Sequence, residues 1–330
     1  MKNKLKIGIC GYGNLGRGVD SEIAKNRDME LAAIFTRRKP GELARAGSGA
    51  RAPVVSVQSA AEWKDRVDVV IMCGGSANDL PVQGEEFAKI FNTVDSYDNH
   101  SKILDYYQSI DEAAKSGGNI SIVSAGWDPG VFSLLRLYMS AILPNGRPYT
   151  FWGKGVSQGH SGAIRGIEGV KNAIQYTLPD ESAMELIRKG ERPELSARQR
   201  QSRLCYVVAE EGADTGRIER EIKQMPAYFA DYDTTVHFIS GDELAANHSK
   251  MAHGGSVIYA GETGYGNKQV IELSLKLDSN PEYTASIMLA YARAAHRLSA
   301  NGESGARTVF DIPMSLLSAA GRDEIITAIL

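Results

Sequence analysis

The run Lys6-Ile7-Gly8-Ile9-Cys10, followed at once by Gly11-Tyr12-Gly13-Asn14-Leu15-Gly16, leaves this chain few ways to fold. An apolar, strand-like segment gives way to a G-x-G-x-x-G turn and then to an amphipathic helix expected over about Leu15 to Asn26. In that setting the first glycine makes a tight turn, the second lets backbone approach a pyrophosphate, and the third allows close packing of helix on strand. The helix N-terminus adds unpaired N–H groups and a partial positive charge, which suit a phosphate. A glycine turn that held no ligand would not need this strand-to-helix context, so the motif reads as a dinucleotide-binding loop.

The same grammar continues downstream. Met29 to Phe35, Val54 to Val57, Val67 to Met72, Asn92 to Asp95 and Asn119 to Val123 read as further strands. Val67-Asp68-Val69-Val70-Ile71-Met72 is nearly continuous in apolar residues, as a strand covered on both faces must be. About six such strands alternating with helices predict an α/β fold, a Rossmann-type doubly wound parallel sheet. After Leu143 the pattern changes, because Pro144-Asn145-Gly146-Arg147-Pro148 interrupts the chain. Ile271, Leu273, Leu275 and Leu277 then alternate with Glu272, Ser274 and Lys276, the signature of a half-solvated antiparallel sheet. Tyr149 to Val156, Leu204 to Ala209, Thr234 to Ile239 and Ser256 to Ala260 are candidate strands, and Tyr283 to Leu298 a long helix. The expected division is residues 1–148 and an α+β second domain, 149–330, with a mostly antiparallel sheet. The C-terminal helical segment is a candidate to pack back on the first domain.

Length agrees with this division, since 330 residues make about two domains at roughly 150 each. A formal net charge of -3 provides no field for a polyanion, so nucleic acid is not an expected partner. Cys10, Cys73 and Cys205 are odd in number, far apart and set among apolar neighbours, which predicts small buried hydrophobes in a reducing compartment. No apolar run approaches the ~18 residues of a membrane span, and the N-terminus has no signal-like region, so a cytoplasmic protein without a membrane anchor is expected. No two of the six histidines are spaced as H-x-x-x-H and no cysteine pair lies close by, so no metal is expected. There is no G-x-S-x-G elbow to support a hydrolase. Gly47-Ser48-Gly49-Ala50 reads as a surface loop.

The tip of the second strand decides which dinucleotide is bound. An NAD site places an acid there for the ribose 2′-hydroxyl, whereas an NADP site needs cationic or hydroxyl donors for the 2′-phosphate. The chain reads Ile34-Phe35-Thr36-Arg37-Arg38-Lys39, with no acid. A guanidinium grips phosphate in a bidentate fork and can stack on adenine. NADP is therefore the expected cofactor.

Ligands of open parallel sheets bind outside the carboxyl ends of the strands. Cys73-Gly74-Gly75-Ser76 follows the fourth strand, Asp95-Ser96-Tyr97-Asp98-Asn99 the fifth, and Ser124-Ala125-Gly126-Trp127-Asp128-Pro129-Gly130 the sixth. Asp98 and Asp128 are thus expected near the nicotinamide, although each reads equally well as a turn residue, or for Asp128 as an N-cap before a helix from Val131 to Ile142. Polar residues in unusual settings mark the second domain: Trp152, Gln158-Gly159-His160-Ser161, Thr177, Arg203 and Met251-Ala252-His253-Gly254-Gly255. His296 reads as structural.

Taken together, GYGNLGRGV, FTRR, CGGSA, TVDSYDNH, SAGWDPG, TFWGKG, SQGHS, GVKNAIQYTLP, CYVV, HGG, LKLDSNP and RAAHRL resemble the meso-diaminopimelate dehydrogenase family almost end to end. The resemblance implies reversible oxidative deamination at the D centre of meso-2,6-diaminopimelate, giving L-2-amino-6-oxoheptanedioate, ammonia and NADPH. It implies NADP contacts from Tyr12 to Leu15, Thr36 to Arg38, Cys73 to Ser76, Ser96, Tyr97 and Asp98, and Ala125, Gly126, Trp127, Asp128 and Pro129. It implies that Asp98, Asp128, Trp152, Gln158, Gly159, Thr177, Arg203, His253 and Asn280 line the substrate site, and that the chain is a homodimer joined through its second domain. Arg203, Thr177 and His253 would take the distal L-carboxylate. Asp98 and Asp128 would face an ammonium, with Asp128 the nearer aid to deprotonation. One departure stands out: where the family usually has an aspartate after SQGHS and a second arginine after the one matched by Arg165, this chain has Gly162 and Gly166. That change bears on substrate strictness rather than reaction class. The competing readings are a broader NADP-dependent D-amino acid dehydrogenase and a non-catalytic NADP-binding redox sensor.

Overall fold

Strand β1 (Leu5–Cys10) is buried at every position but Lys6, as a parallel strand covered on both faces requires. In the computed structural model, which describes residues 4–45, 52–226 and 228–330 apart from the side chains of residues 44, 45 and 158, it is an interior strand of a seven-stranded sheet. The Gly47 to Ala50 loop lies outside the described residues. The chain divides into two compact units, residues 1–134 with 281–330, and residues 135–280. The division falls inside a helix at Leu134/Leu135 rather than at the proline-rich break near residue 148, and residues 281–330 count with the first unit.

In chain order the first unit contains β1, α1 (Asn14–Ile23), β2 (Met29–Thr36), α2 (Pro40–Arg45), β3 (Val54–Ser56), β4 (Val69–Met72), α3 (Leu80–Ala88), β5 (Asn92–Asp95), α4 (Ile103–Gly117), β6 (Ile120–Ile122) and the start of α5 (Val131–Ile142). The second contains the remainder of α5, then β7 (Arg147–Trp152), β8 (Gly155–Val156), α6 (Gln158–Arg165), β9 (Val170–Pro179), α7 (Glu181–Arg188), α8 (Ala197–Arg200), β10 (Gln201–Ala209), α9 (Thr215–Gln224), β11 (Thr234–Phe238), α10 (Gly241–His248), β12 (His253–Thr263) and β13 (Asn267–Leu277). The chain ends with α11 (Asn280–Ala300), β14 (Gly305–Arg307) and α12 (Arg322–Ile329).

The large sheet has the order β14-β6-β5-β4-β1-β2-β3, and every pair is parallel. The order reverses between β1 and β4, the position at which open α/β sheets bind their ligands. One face packs on α1 and α11 through Val19, Ile23, Met288, Leu289 and Ala292. The other packs on α3 and α4 through Phe87, Phe91, Tyr106 and Ile110, where Phe35 and Phe87 meet edge to face at 5.5 Å. Each such phenylalanine contributes about 1.5–3 kcal/mol by leaving water. A seventh strand, β14, joins the six expected. It is only Gly305-Ala306-Arg307, too short for an alternating pattern, and it is held against β6 with the Ala306 N–H donating to Asp111 Oδ1 at 2.9 Å.

The second unit has a three-stranded antiparallel sheet, β13-β12-β7, and a four-stranded sheet, β11-β10-β9-β8, in which only β10 and β11 run parallel. Residues Tyr149 to Val156, expected as one strand, divide into β7 and β8 because Gly153 takes φ +116°, which turns the extended run. β9 had no clear strand signal: its inward row includes Gln175 and Thr177, buried polar side chains that mask the alternation. Cys10 and Cys205 are buried, and burial pushes each thiol up to about 12, whereas Cys73 is partly exposed at the carboxyl end of β4. Among the described residues no helix is long and apolar enough to cross a membrane, and no cluster of His, Cys, Asp or Glu is arranged to hold a metal.

Candidate active site

The turn after β1 is built by two glycines. Gly11 adopts φ +91° and its N–H donates to the Phe35 carbonyl at 2.9 Å, while a Cβ on Gly16 would collide with the Gly11 carbonyl oxygen. α1 can therefore start directly behind the turn, and none of the described residues lies within 4 Å of where a Gly13 Cβ would stand. This is the open backbone approach that a pyrophosphate needs. Tyr12 is buried and its hydroxyl donates to Asp20 Oδ2 at 2.6 Å, and Asn14 Oδ1 accepts from Arg17. Leu15 packs against the core of this face. Across the switch point the Cys73 N–H donates to the Cys10 carbonyl at 2.8 Å, which brings Gly74 beside Gly11.

The tip of β2 shares a cavity with this turn, lined among others by Gly11, Thr36, Arg37, Arg38, Asp79 and Gln83. Thr36 is buried and its Oγ1 accepts the Arg38 N–H at 3.1 Å. Arg37 pairs with Asp79 at 2.5 Å, and the other Asp79 oxygen accepts the Gly75 N–H at 3.0 Å. Neither Asp79 nor Gln83 was among the expected site residues. Asp79 stands directly before the Leu80-Pro81 start of α3 and resembles any helix-leading aspartate, so no local signal set it apart.

Asp98 and Asp128 follow adjacent strands, β5 and β6. Asp98 is exposed and its N–H donates to Ser76 Oγ at 3.1 Å; Asp128 is half-buried. What joins their loops is Asp95, which is fully buried. Its Oδ1 accepts the N–H groups of Tyr97 and Ser124, both at 2.9 Å, and its Oδ2 accepts the Tyr106 hydroxyl at 2.8 Å. Burial pushes the Asp95 carboxyl up, against three hydrogen bonds that pull it down. The Ala125 N–H donates to the Asp95 carbonyl at 2.8 Å, so Ser96 to Asp98 and Ala125 to Pro129 hang from one buried carboxylate residue. Trp127 is buried edge to face on Phe132 at 5.3 Å, which anchors the second loop.

In the second unit, antiparallel register places Thr177 of β9 opposite Arg203 of β10. Arg203 Nη1 donates to Thr177 Oγ1 at 2.5 Å, and the guanidinium lies over the Tyr232 ring at 3.9 Å. Arg203 is only 5% exposed, its Nε has no hydrogen-bond partner among the described residues, and burial pulls its pKa below the usual arginine value. A buried cation with an orphaned donor, an arrangement that costs about 1–3 kcal/mol, is poised for an anion. Gly155 stands opposite Thr177 and its backbone abuts the His253 ring, so Arg203, Thr177 and His253 belong to one neighbourhood. Burial lowers the His253 pKa, favouring the neutral imidazole, against a backbone hydrogen bond to Gly254 that raises it. Trp152 ends β7 opposite Gly255, and the Asn280 N–H donates to the Met251 carbonyl at 3.1 Å.

Gln158 and Gly159 open α6; the Gln158 side chain lies outside the described residues and Gly159 is exposed. Ser157 caps this helix, accepting the His160 N–H, and its Oγ lies 2.7 Å from His160 Nδ1. Burial, aided by the Arg203 charge, pulls His160 down to about 4. Ser161 Oγ accepts the Gln175 N–H at 2.9 Å and Arg165 donates to the Ala173 carbonyl at 2.9 Å. These bonds hold α6 to β9 with glycine at both 162 and 166.

The family profile described as Diaminopimelic acid dehydrogenase C-terminal domain matches residues 126–279. The chain is 56% identical over 323 residues to a meso-diaminopimelate D-dehydrogenase of Ureibacillus thermosphaericus, covering 98% of each chain. Its structure superposes on C. glutamicum DAP dehydrogenase in complex with DAP with a TM-score of 0.93, at 45% identity and over 100% of both chains. An engineered D-amino acid dehydrogenase bound to NADP+ gives a TM-score of 0.88 at 44% identity, over 99% of this chain and 100% of that one.

Proposed function

The chain belongs to the meso-diaminopimelate D-dehydrogenase family, and from that premise we propose that it catalyses the reversible, NADP-dependent oxidative deamination of meso-2,6-diaminopimelate at its D centre. The observation that carries the reading is the 56% identity over 98% of both chains, a span that includes both the dinucleotide turn and the Arg203 neighbourhood. A bound nicotinamide supplies the hydride acceptor, leaving an imine that water hydrolyses to the 6-oxo acid and ammonia.

The residues themselves bind, orient and move a proton. Gly11 to Gly16 accept the pyrophosphate, and Thr36, Arg37 and Arg38 the 2′-phosphate. Arg203 Nε and Thr177 Oγ1, with His253, take the distal L-carboxylate. Asp98 and Asp128 take the ammonium of the reacting centre, and Asp128 holds the proton that must leave before the carbon gives up hydride. Fixing that C–H in place is worth on the order of 7–11 kcal/mol. A cytoplasmic homodimer forms part of the same proposal.

NADPH formation with the separate meso, LL and DD isomers tests the reading. The meso isomer should turn over far faster than D-alanine or D-phenylalanine. Turnover of the LL isomer alone would overturn the reading, and comparable rates on simple D-amino acids would favour the broader dehydrogenase. A double substitution, Arg37→Ala with Arg38→Ala, should weaken NADP binding by about 150-fold or more, since two charge-assisted contacts at about 1.5–3 kcal/mol each are lost and each 1.4 kcal/mol is tenfold. NAD binding should change by less than about threefold. Equal losses for the two cofactors, read by fluorescence titration, would remove the assignment of NADP to this site.

A further inference from the structure

Asp79 is an acid inside a cradle otherwise suited to anions. Its Oδ1 lies 2.5 Å from Arg37 Nη2 and its Oδ2 accepts the Gly75 N–H at 3.0 Å, and Asp79 and Arg37 both line the cavity that holds Gly11, Thr36 and Arg38. The Asp79 side chain is 24% exposed against 64% for Arg37, so the acid is the more fixed member of the pair. Its bond to Gly75 ties it to the loop after β4, while Arg37 reaches it from the tip of β2. A 2′-phosphate brought to Arg37 would meet a guanidinium whose charge is already matched and a carboxylate that repels it. A 2′-hydroxyl would meet neither penalty, being neutral.

We propose that Asp79 is a specificity-determining residue: as the built-in counter-ion of Arg37, it weakens binding of the 2′-phosphorylated cofactor and limits how strongly the protein prefers NADP to NAD. The proposal rests on the NADP reading above. Asp79→Asn keeps the shape and an acceptor for the Gly75 N–H but removes the charge, and Asp79→Glu keeps the charge.

Calorimetric titration of the purified full chain with 2′,5′-ADP, 5′-AMP, NADP and NAD reads the effect without turnover. Asp79→Asn should bind 2′,5′-ADP and NADP about three- to tenfold more tightly at low salt, the range expected for one partly exposed like charge. AMP and NAD should change by less than about twofold, Asp79→Glu should stay near the wild type, and the gain should shrink above ~0.5 M salt. Parallel changes for all four ligands, or weaker binding of the 2′-phosphorylated pair by Asp79→Asn, would overturn the proposal. A wild type that binds 2′,5′-ADP no better than AMP would instead overturn the NADP reading beneath it.

Discussion

Arg203→Leu is expected to lower kcat/KM for meso-diaminopimelate by about 30- to 3,000-fold, because removing one member of a desolvated charge pair costs about 2–5 kcal/mol and each 1.4 kcal/mol is tenfold. The loss should fall mainly on KM, since the distal carboxylate is bound alike in ground and transition states. D-Alanine has no distal carboxylate and should lose less than about threefold. The fold should tolerate the change. Among the described residues the guanidinium meets a threonine hydroxyl and a tyrosine ring, neither of them an anion, and burial disfavours its charge. Melting temperature should therefore hold or rise while activity falls. Steady-state kinetics on both substrates check the outcome; an equal loss on D-alanine would show that Arg203 supports the fold or the cofactor and not the second carboxylate.

The second large effect is expected at the paired acids. Asp128→Asn should reduce kcat by about 10²- to 10⁴-fold, the usual contribution of a positioned general base. Asp98→Asn should cost less. Asp128 is half-buried on a loop held by Asp95 and by Trp127 on Phe132, whereas Asp98 is exposed. A carboxylate held from one side by a rigid loop can keep hydrogen-bond distance to an ammonium as the proton moves; an exposed one spends its charge on water. Should both variants raise KM and leave kcat intact, the acids bind the ammonium without moving its proton.

Much of the first unit was readable locally. The apolar run of β4, the G-x-G-x-x-G turn and the periodicity of α5 and α11 are each set by neighbours a few residues away, and the observed elements lie close to the expected ones. β14 and β9 were not readable in the same way. The first is too short to carry a period, and the second turns buried polar residues inward for reasons that lie in other strands. The candidate site divides along the same line. Glycines, the Arg37-Arg38 tip and the strand-end aspartates are local features. Asp79, Asp95 and Tyr232 are not: their importance depends on what faces them.

From sequence alone come the dinucleotide turn, the basic tip of β2, the alternation that separates a parallel from an antiparallel sheet, and the family resemblance. These depend on backbone conformation and side-chain period, which short stretches of chain dictate. Tertiary structure alone decides that Arg37 answers to Asp79, that one buried carboxylate suspends the loops of Asp98 and Asp128, and that Arg203 rests on Tyr232 with its Nε unpaired among the described residues. Those contacts follow from strand order and register, which are selected by burying whole faces of the core and so belong to no single segment.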